Sequence, residues 1–529
     1  MKNLWRHARP FLSLTEGHGL LLLSGLIGVG TGAAAGVFIR LVELVQFWPA
    51  VDGRGRLFSL TLTWPLLLTI PAIGGLLCGA VLKYLDPAVK GTGTPEILLA
   101  IRRKGGHIGG RYTAVKTLAS VFTVCSGGAA GPEAPMVTVG AGLGSWAGRR
   151  LGISAEDLRT LVAAGAAAGF AAVFNAPIAG VLFAIEVLLK EFASQSFAMV
   201  MLATVSASVT THVILGERVF VEVPSTYAFN RIGELGFYLI LAVLAGAFAK
   251  LFVATSLFID KRFEKSVASP MTRAALGGLL LGALALLLPQ ALGNGHLVIP
   301  DLIRAEAGSP WAWTLLLALL FGKMIACPLT VGSGGSGGIF IPYLLMGAAL
   351  GGLVGRVVHL FFPWAAPAGA YMLVGMGAVF GGITFAPFTA ILLLFELTRD
   401  YSIILPMMFT VGITVMVARA IDPHSLEGHK LLKKGVRLNE DPELRVLEKY
   451  HVRDIMSHPP GSAGERRARQ FTHAELPIVG PDEPLEHAIR RMQESESDRV
   501  LVAEPSTPGK IVGQVTQSDI LSIYRRFFD

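Results

Sequence analysis

From Ile339 to Ala420 the chain runs almost without a break through apolar residues. Such a stretch cannot face water and has to lie in lipid or inside a lipid-bound bundle. Further apolar segments cover Leu20 to Phe47, Leu62 to Leu82, Val115 to Val124, Leu161 to Leu189 and Phe197 to Leu215. They resume at Gly236 to Leu257, Ala274 to Leu292 and Trp311 to Ile325. Some reach the roughly 20 residues a spanning helix needs; others are only about 10 to 14 residues between glycine or proline breaks. A bilayer tolerates irregular backbone only where protein or a water-filled cavity surrounds it, so the broken segments imply an internal polar site. The composition agrees, with 52% of 529 residues hydrophobic, 16% charged and a mean hydropathy of +0.59.

The net charge of +8 does not read as a nucleic-acid surface. Lys and Arg sit in short clusters beside apolar runs, as in Arg102-Arg103-Lys104 and Arg149-Arg150, which is how cytoplasmic ends of membrane helices are anchored. Cys78, Cys125 and Cys327 lie in or beside apolar runs without CxxC spacing, so buried packing is expected rather than disulfides or a thiolate metal site. The basic stretch Met1 to Pro10 precedes an apolar run too long for a cleaved leader, and reads as the approach to a first membrane helix.

The chain repeats itself. Glu133-Ala134-Pro135-Met136-Val137-Thr138-Val139-Gly140-Ala141-Gly142-Leu143-Gly144 returns as Phe340-Ile341-Pro342-Tyr343-Leu344-Leu345-Met346-Gly347-Ala348-Ala349-Leu350-Gly351, a shift of 207 from Pro135 to Pro342. Asn175-Ala176-Pro177 with Glu186 returns as Phe385-Ala386-Pro387 with Glu396, a shift of 210. Two related halves are expected, about 20–215 and 236–420, within a membrane domain at 20–422 that follows a cytoplasmic N-terminus at 1–19. Transporters built from repeats hold their substrate near the midplane, between discontinuous helices. A charged linker is expected at 423–450, then a small α/β domain at 451–529. In that domain Asp482 is the expected cap of a helix continuing through Pro484 and Leu485, and Ser518-Asp519 of the last helix.

Four turns carry the chemistry: Lys90 to Glu96, Gly127 to Pro135, Gly332 to Pro342, and Asn175-Ala176-Pro177. Each precedes an apolar helical run. Glycine exposes backbone amides, proline suits a first helical turn, and a helix N-terminus attracts anions. Several such termini aimed at one point bind a small anion without a resident cation that would hold it too tightly to pass. Glu133 is an acid inside one of these neutral turns. At an anion site its carboxylate can stand in for the anion, and protonation releases it. Glu186 and Glu396, matched across the halves, read as structural carboxylates that pair with backbone amides or an arginine.

These residues resemble the CLC family of chloride channels and proton/chloride exchangers. Gly91-Thr92-Gly93-Thr94-Pro95, Gly131-Pro132-Glu133-Ala134-Pro135 and Gly338-Ile339-Phe340-Ile341-Pro342 resemble its three signature motifs, in order. The resemblance implies an all-α polytopic membrane fold of two inverted repeats of broken and tilted helices, in a homodimer with two separate pores. It implies Glu133 as the gate, Thr92 and Gly93 at the anion site, backbone amides of Ile339 and Phe340 on the anion, and Phe340 along the path. Thr92 stands where the family has serine and keeps a hydroxyl. Val187 stands where exchangers carry an internal proton glutamate, and Glu427 aligns with the family's inner tyrosine. Glu427 is read either as a substitute proton acceptor or as a solvated cytoplasmic charge. The C-terminal stretch Gly513 to Asp519 resembles a single CBS repeat, which implies Thr516 and Asp519 as adenine-nucleotide contacts and pairing across a homodimer.

Val187 favours a passive chloride channel; proton-coupled exchange is the alternative, with chloride and protons as the transported ions and no cofactor required. A membrane-anchored nucleotide sensor would leave the repeated glycine turns unexplained. No HExxH motif and no paired aspartates lie in the membrane segments, so an enzyme is not expected. The expected location is a bacterial inner membrane with both termini cytoplasmic.

Overall fold

A computed structural model of the chain describes residues 16–46, 56–57, 60–61, 64–190, 194–216, 231–267, 269–304, 312–436, 450–457, 476–483, 485–495, 497–503 and 511–528. The chain divides into two compact units, Met1–Lys434 and Gly435–Asp529. The basic stretch Met1 to Pro10, expected to lead into a first membrane helix, lies outside the described residues, as does Pro484.

The first half of the membrane unit runs α1 (Glu16–Gln46), a short hairpin of β1 (Arg56–Leu57) and β2 (Leu60–Thr61), α2 (Trp64–Tyr84), α3 (Thr94–Arg103), α4 (Gly110–Cys125), α5 (Glu133–Leu151), α6 (Ala155–Phe174), α7 (Pro177–Phe183) with a π turn over Ala184–Leu189, and α8 (Ser194–Leu215). The second half runs α9 (Leu235–Ser266), α10 (Pro270–Leu287), α11 (Val298–Arg304), α12 (Ala312–Val331), α13 (Phe340–Phe361), α14 (Ala368–Thr384), α15 (Pro387–Thr398) and α16 (Ile404–Ile421). A last helix, α17 (Leu426–Leu432), follows. Among the described residues nine helical stretches are long and apolar enough to cross a membrane. Those at 177–189, 368–384 and 387–398 are shorter.

The repeat is visible in the packing. Helix α1 packs on α8 as α9 packs on α16, and α5 on α6 as α13 on α14. Other mates meet each other across the halves, α2 with α10 and α7 with α15. Glycine permits these contacts. A Cβ on Gly140 would strike the carbonyl of Gly165, and one on Gly347 the carbonyl of Gly375. Across the halves, Gly75 lies against the Ala274 carbonyl and Gly278 against the Pro71 carbonyl. The left-handed non-glycine residues among those described are also mates, Asn175 with Phe385 and Lys190 with Arg399.

Glu186 accepts from the amides of Phe388 (3.1 Å) and Thr389 (2.8 Å) and from the Thr389 hydroxyl (2.7 Å). Glu396 accepts in return from the amides of Ile178 (2.9 Å) and Ala179 (2.7 Å). Each carboxylate thus caps the N-terminus of the other half's helix, where orphan amides need acceptors. Lys190 stands four positions after Glu186, but Arg399 only three after Glu396. The π turn absorbs the extra residue. The three cysteines are free and buried.

Two details differ from the sequence reading. The segment expected to begin a linker at 423 continues the membrane unit to Lys434, because Leu426, Glu427, Gly428 and Leu431 of α17 are buried. Glu427 is therefore no solvated charge.

In the second unit, α18 (Val452–Ile455), β3 (Ile478–Val479), α19 (Leu485–Glu494), β4 (Arg499–Ala503), β5 (Ile511–Thr516) and α20 (Gln517–Phe528) surround one core that includes Leu485, Ala488, Val500, Val502 and Val515. Strand β3 is parallel to β4, and β4 antiparallel to β5. Asp482 pairs with Arg453 at 2.8 Å, and Glu483 accepts from the Gly480 amide. Helix α20 is capped by Thr516, two residues before Ser518, with Asp519 as its reciprocal partner: the Asp519 amide donates to the Thr516 hydroxyl (3.3 Å) and the Thr516 amide to the Asp519 carboxylate (2.9 Å).

Candidate anion pathway

Three glycine-rich turns meet in the membrane unit. Gly131 and Gly338 exchange backbone bonds of 2.7 and 2.9 Å, joining the turn before α5 to the turn before α13. Gly91, in the turn before α3, donates to the Gly335 carbonyl at 3.1 Å and accepts from the Gly337 amide at 3.4 Å. Gly91 and Gly93 both have positive φ, a backbone that residues with a Cβ adopt at a cost. The sequence places proline in the first turn of each following helix, so the N-termini of α3, α5 and α13 are brought together.

Glu133 is the first residue of α5 and is fully buried. Its Oε1 accepts from the Phe340 amide at 2.8 Å, while Oε2 has no partner. The carboxyl fits because both flanking turns lack side chains: a Cβ on Gly131 would strike Oε2, and one on Gly338 would strike Cδ. The acid therefore occupies an amide at the N-terminus of α13. Phe340 begins α13, with Ile339 buried as its cap residue. The Phe340 ring packs among Phe170, Phe183, Phe380 and Tyr343, with centroids 5.3 to 6.1 Å away. A cavity of about 550 Å³ lies against the same turns, lined in part by Pro132, Asn294, His296 and Ile341.

Thr92 is buried, and its hydroxyl donates to Glu427 Oε1 at 3.1 Å. Gly93 packs against Thr138 of α5 and the stem of Lys116. Val187 sits half-buried in the π turn.

Two site-forming lysines escaped the sequence reading. Lys116 of α4 is fully buried and donates to the carbonyls of Val89 (2.9 Å) and Gly91. Lys323 of α12, also fully buried, donates to those of Ala291 (2.9 Å), Leu292 (3.1 Å) and Gly293 (2.6 Å). They stand 207 residues apart, the shift of the main repeat, and each fixes a turn whose glycines take positive φ. Gly334-Gly335-Ser336-Gly337-Gly338 has the spacing of a hydrolase nucleophile turn, but Ser336 Oγ is paired with Ser120 Oγ at 2.9 Å and serves to join α4 to the third turn.

The family model described as a voltage gated chloride channel matches residues 74–419. The chain belongs to the CLC family. A CBS domain model matches residues 452–526 of this CLC chain. A putative chloride channel protein, ClcB-like, from Ralstonia nicotianae is 33% identical over 81% of the chain and 99% of its own length. An H(+)/Cl(-) exchange transporter, ClcA, from Yersinia pseudotuberculosis is 32% identical over 74% of the chain and 82% of its own length. Among solved structures, a slow cyanobacterial Cl-/H+ antiporter superposes with a TM-score of 0.71 at 24% identity, over 80% of this chain and 99% of that one. A eukaryotic CLC transporter gives 0.66 at 21%, over 94% and 98%. The CLC chain is thus a multi-pass membrane protein with the CLC fold and a C-terminal CBS domain, and its activity is anion transport rather than catalysis.

Proposed function

We propose that the chain exchanges chloride for protons through the meeting point of α3, α5 and α13, with Glu133 as gate and proton carrier. The observation that carries this reading is the Glu133 carboxylate seated on the Phe340 amide. It is a buried acid with no basic partner among its bonds, in the place of an anion. Chloride cannot take that donor until the carboxyl leaves, and protonation removes the charge that holds it there. Anion passage and proton uptake are then the same event. Thr92, Gly93, Ile339 and Phe340 line the remaining site.

Val187 favours a second reading, a passive chloride channel, since no acid stands at that position. The two are separated in proteoliposomes under a chloride gradient, with voltage clamped near zero by valinomycin and potassium. Exchange drives protons uphill; a channel passes chloride with no proton movement. Under either mode Glu133→Gln is expected to abolish the dependence of flux on pH at its own face. Unchanged pH dependence would remove Glu133 from the gate.

The single CBS module supports a homodimer in which it pairs with that of a second copy, and adenine nucleotide is its proposed ligand through Thr516 and Asp519. The basic clusters support a bacterial inner-membrane orientation with both termini cytoplasmic.

A further inference from the structure

Two buried carboxylates sit on donors of the meeting turns. Glu133 takes the Phe340 amide with one oxygen and leaves the other without a partner. Glu427 takes the Thr92 hydroxyl with Oε1 and likewise leaves a buried Oε2 without a partner. A glutamate in the first turn of a helix is usually explained by the helix dipole. That role does not account for Glu427. The orphan Gly428 amide of α17 is already capped by the Ser425 hydroxyl at 3.2 Å, and the glutamate reaches away from its own helix to Thr92. Its nearest cation, Lys430 Nζ on the same helix, stays 3.9 Å from Oε1. The other charged or titratable groups facing it are Glu96 of α3, Asp260 of α9, Lys116 of α4 and Tyr343 of α13. Two ammonium groups and two carboxylates thus surround it.

We propose that Glu427 is a second protonatable gate, holding the Thr92 hydroxyl against the transported anion until a proton from its own face neutralises it. The proposal rests on the reading that Thr92 lines the anion path. A proton from water at that face binds the carboxylate, the neutral acid releases the hydroxyl, and the anion accepts the freed bond. When the anion leaves, the acid returns its proton to water or passes it inward. Exchange thereby has an acid at each end of the site without one at Val187.

The test sets pH separately on the two faces of a planar bilayer holding the full-length protein, with chloride current and chloride–proton coupling recorded. Wild-type flux should rise as the α17 face is acidified, by up to about tenfold per pH unit for one titrating proton. Glu427→Gln, which keeps an oxygen for Thr92, should flatten that dependence to within about twofold, cut coupling, and leave the response at the Glu133 face intact. An unchanged slope at the α17 face overturns the proposal. If Glu427→Gln does not fold, Thr92→Val serves: freeing the carboxyl should shift the midpoint of the same pH response, and an unshifted midpoint overturns the proposal. Glu133→Gln is the control for the underlying reading. If it leaves the opposite face unchanged, the Glu133 gate has failed independently of Glu427.

Discussion

A buried lysine is costly unless its charge is met by acceptors. Lys116 and Lys323 meet that cost with backbone carbonyls rather than carboxylates. The carbonyls belong to turns that cannot complete a helix or strand ladder, so each lysine satisfies groups that would otherwise be orphaned in an apolar interior. Lys323→Met keeps the stem and removes three charge-assisted bonds. It is expected to lower stability by about 3 kcal/mol, read as a lower unfolding temperature in detergent. Little change in that temperature would mean water replaces the ammonium. A signal for both residues was present: each is a lone lysine in an apolar run, and the two stand at the repeat shift of 207. Both lysines lie upstream of the matched blocks, which begin at Glu133 and Phe340, so the repeat as read does not reach them. Glu427 had one signal, its alignment with the family's inner tyrosine, and a competing one. Five residues beyond Asp422, in a charged stretch, it looks solvated. Only the packing of α17 buries it against Thr92.

At the scale of elements, the reciprocal caps of Glu186 and Glu396 tie α7 and α15 together across the halves. Glutamine at either position would place an amide donor opposite a backbone N–H donor. The loss should be about 2 kcal/mol for Glu396→Gln. It should be larger for Glu186→Gln, whose carboxylate also holds the Thr389 hydroxyl. Thermal unfolding of the two variants orders them, and equal losses would show that Thr389 finds another acceptor. The sequence carried this architecture well. Its nearly equal shifts of 207 and 210 predicted two halves, its glycine-rich or proline-marked turns predicted where α3, α5, α7 and α13 begin, and Glu186 and Glu396 were read as structural acids. What it hid was local bookkeeping: a π turn that absorbs one residue between Glu186 and Lys190 is invisible to periodicity, because it disturbs one turn of an otherwise apolar segment. The extent of the membrane unit was hidden for a related reason. α17 is too short and too charged to register as a buried element, and hydropathy stops at α16.

At the scale of the molecule, each unit has its own core, and every donor and acid of the proposed anion site lies within Met1–Lys434. In the C-terminal unit the Thr516 hydroxyl donates to the Asp519 carboxylate at 2.7 Å, and the two residues cap α20 together. A nucleotide recruiting them has to open that cap, which sacrifices about 1 kcal/mol of helix stability from the binding energy. Binding of ATP or AMP to the full-length protein should therefore be roughly fivefold weaker than the same contacts would give if they were free. Asp519→Ala, which removes one partner of the cap, separates the two roles in a single pair of measurements. Titration calorimetry should show nucleotide binding lost in the variant, while unfolding of the CBS domain shifts downward. Chloride flux through the membrane unit without nucleotide should stay within about twofold of wild type. Nucleotide binding that survives Asp519→Ala, alongside a destabilised domain, would leave the pair as a helix cap alone.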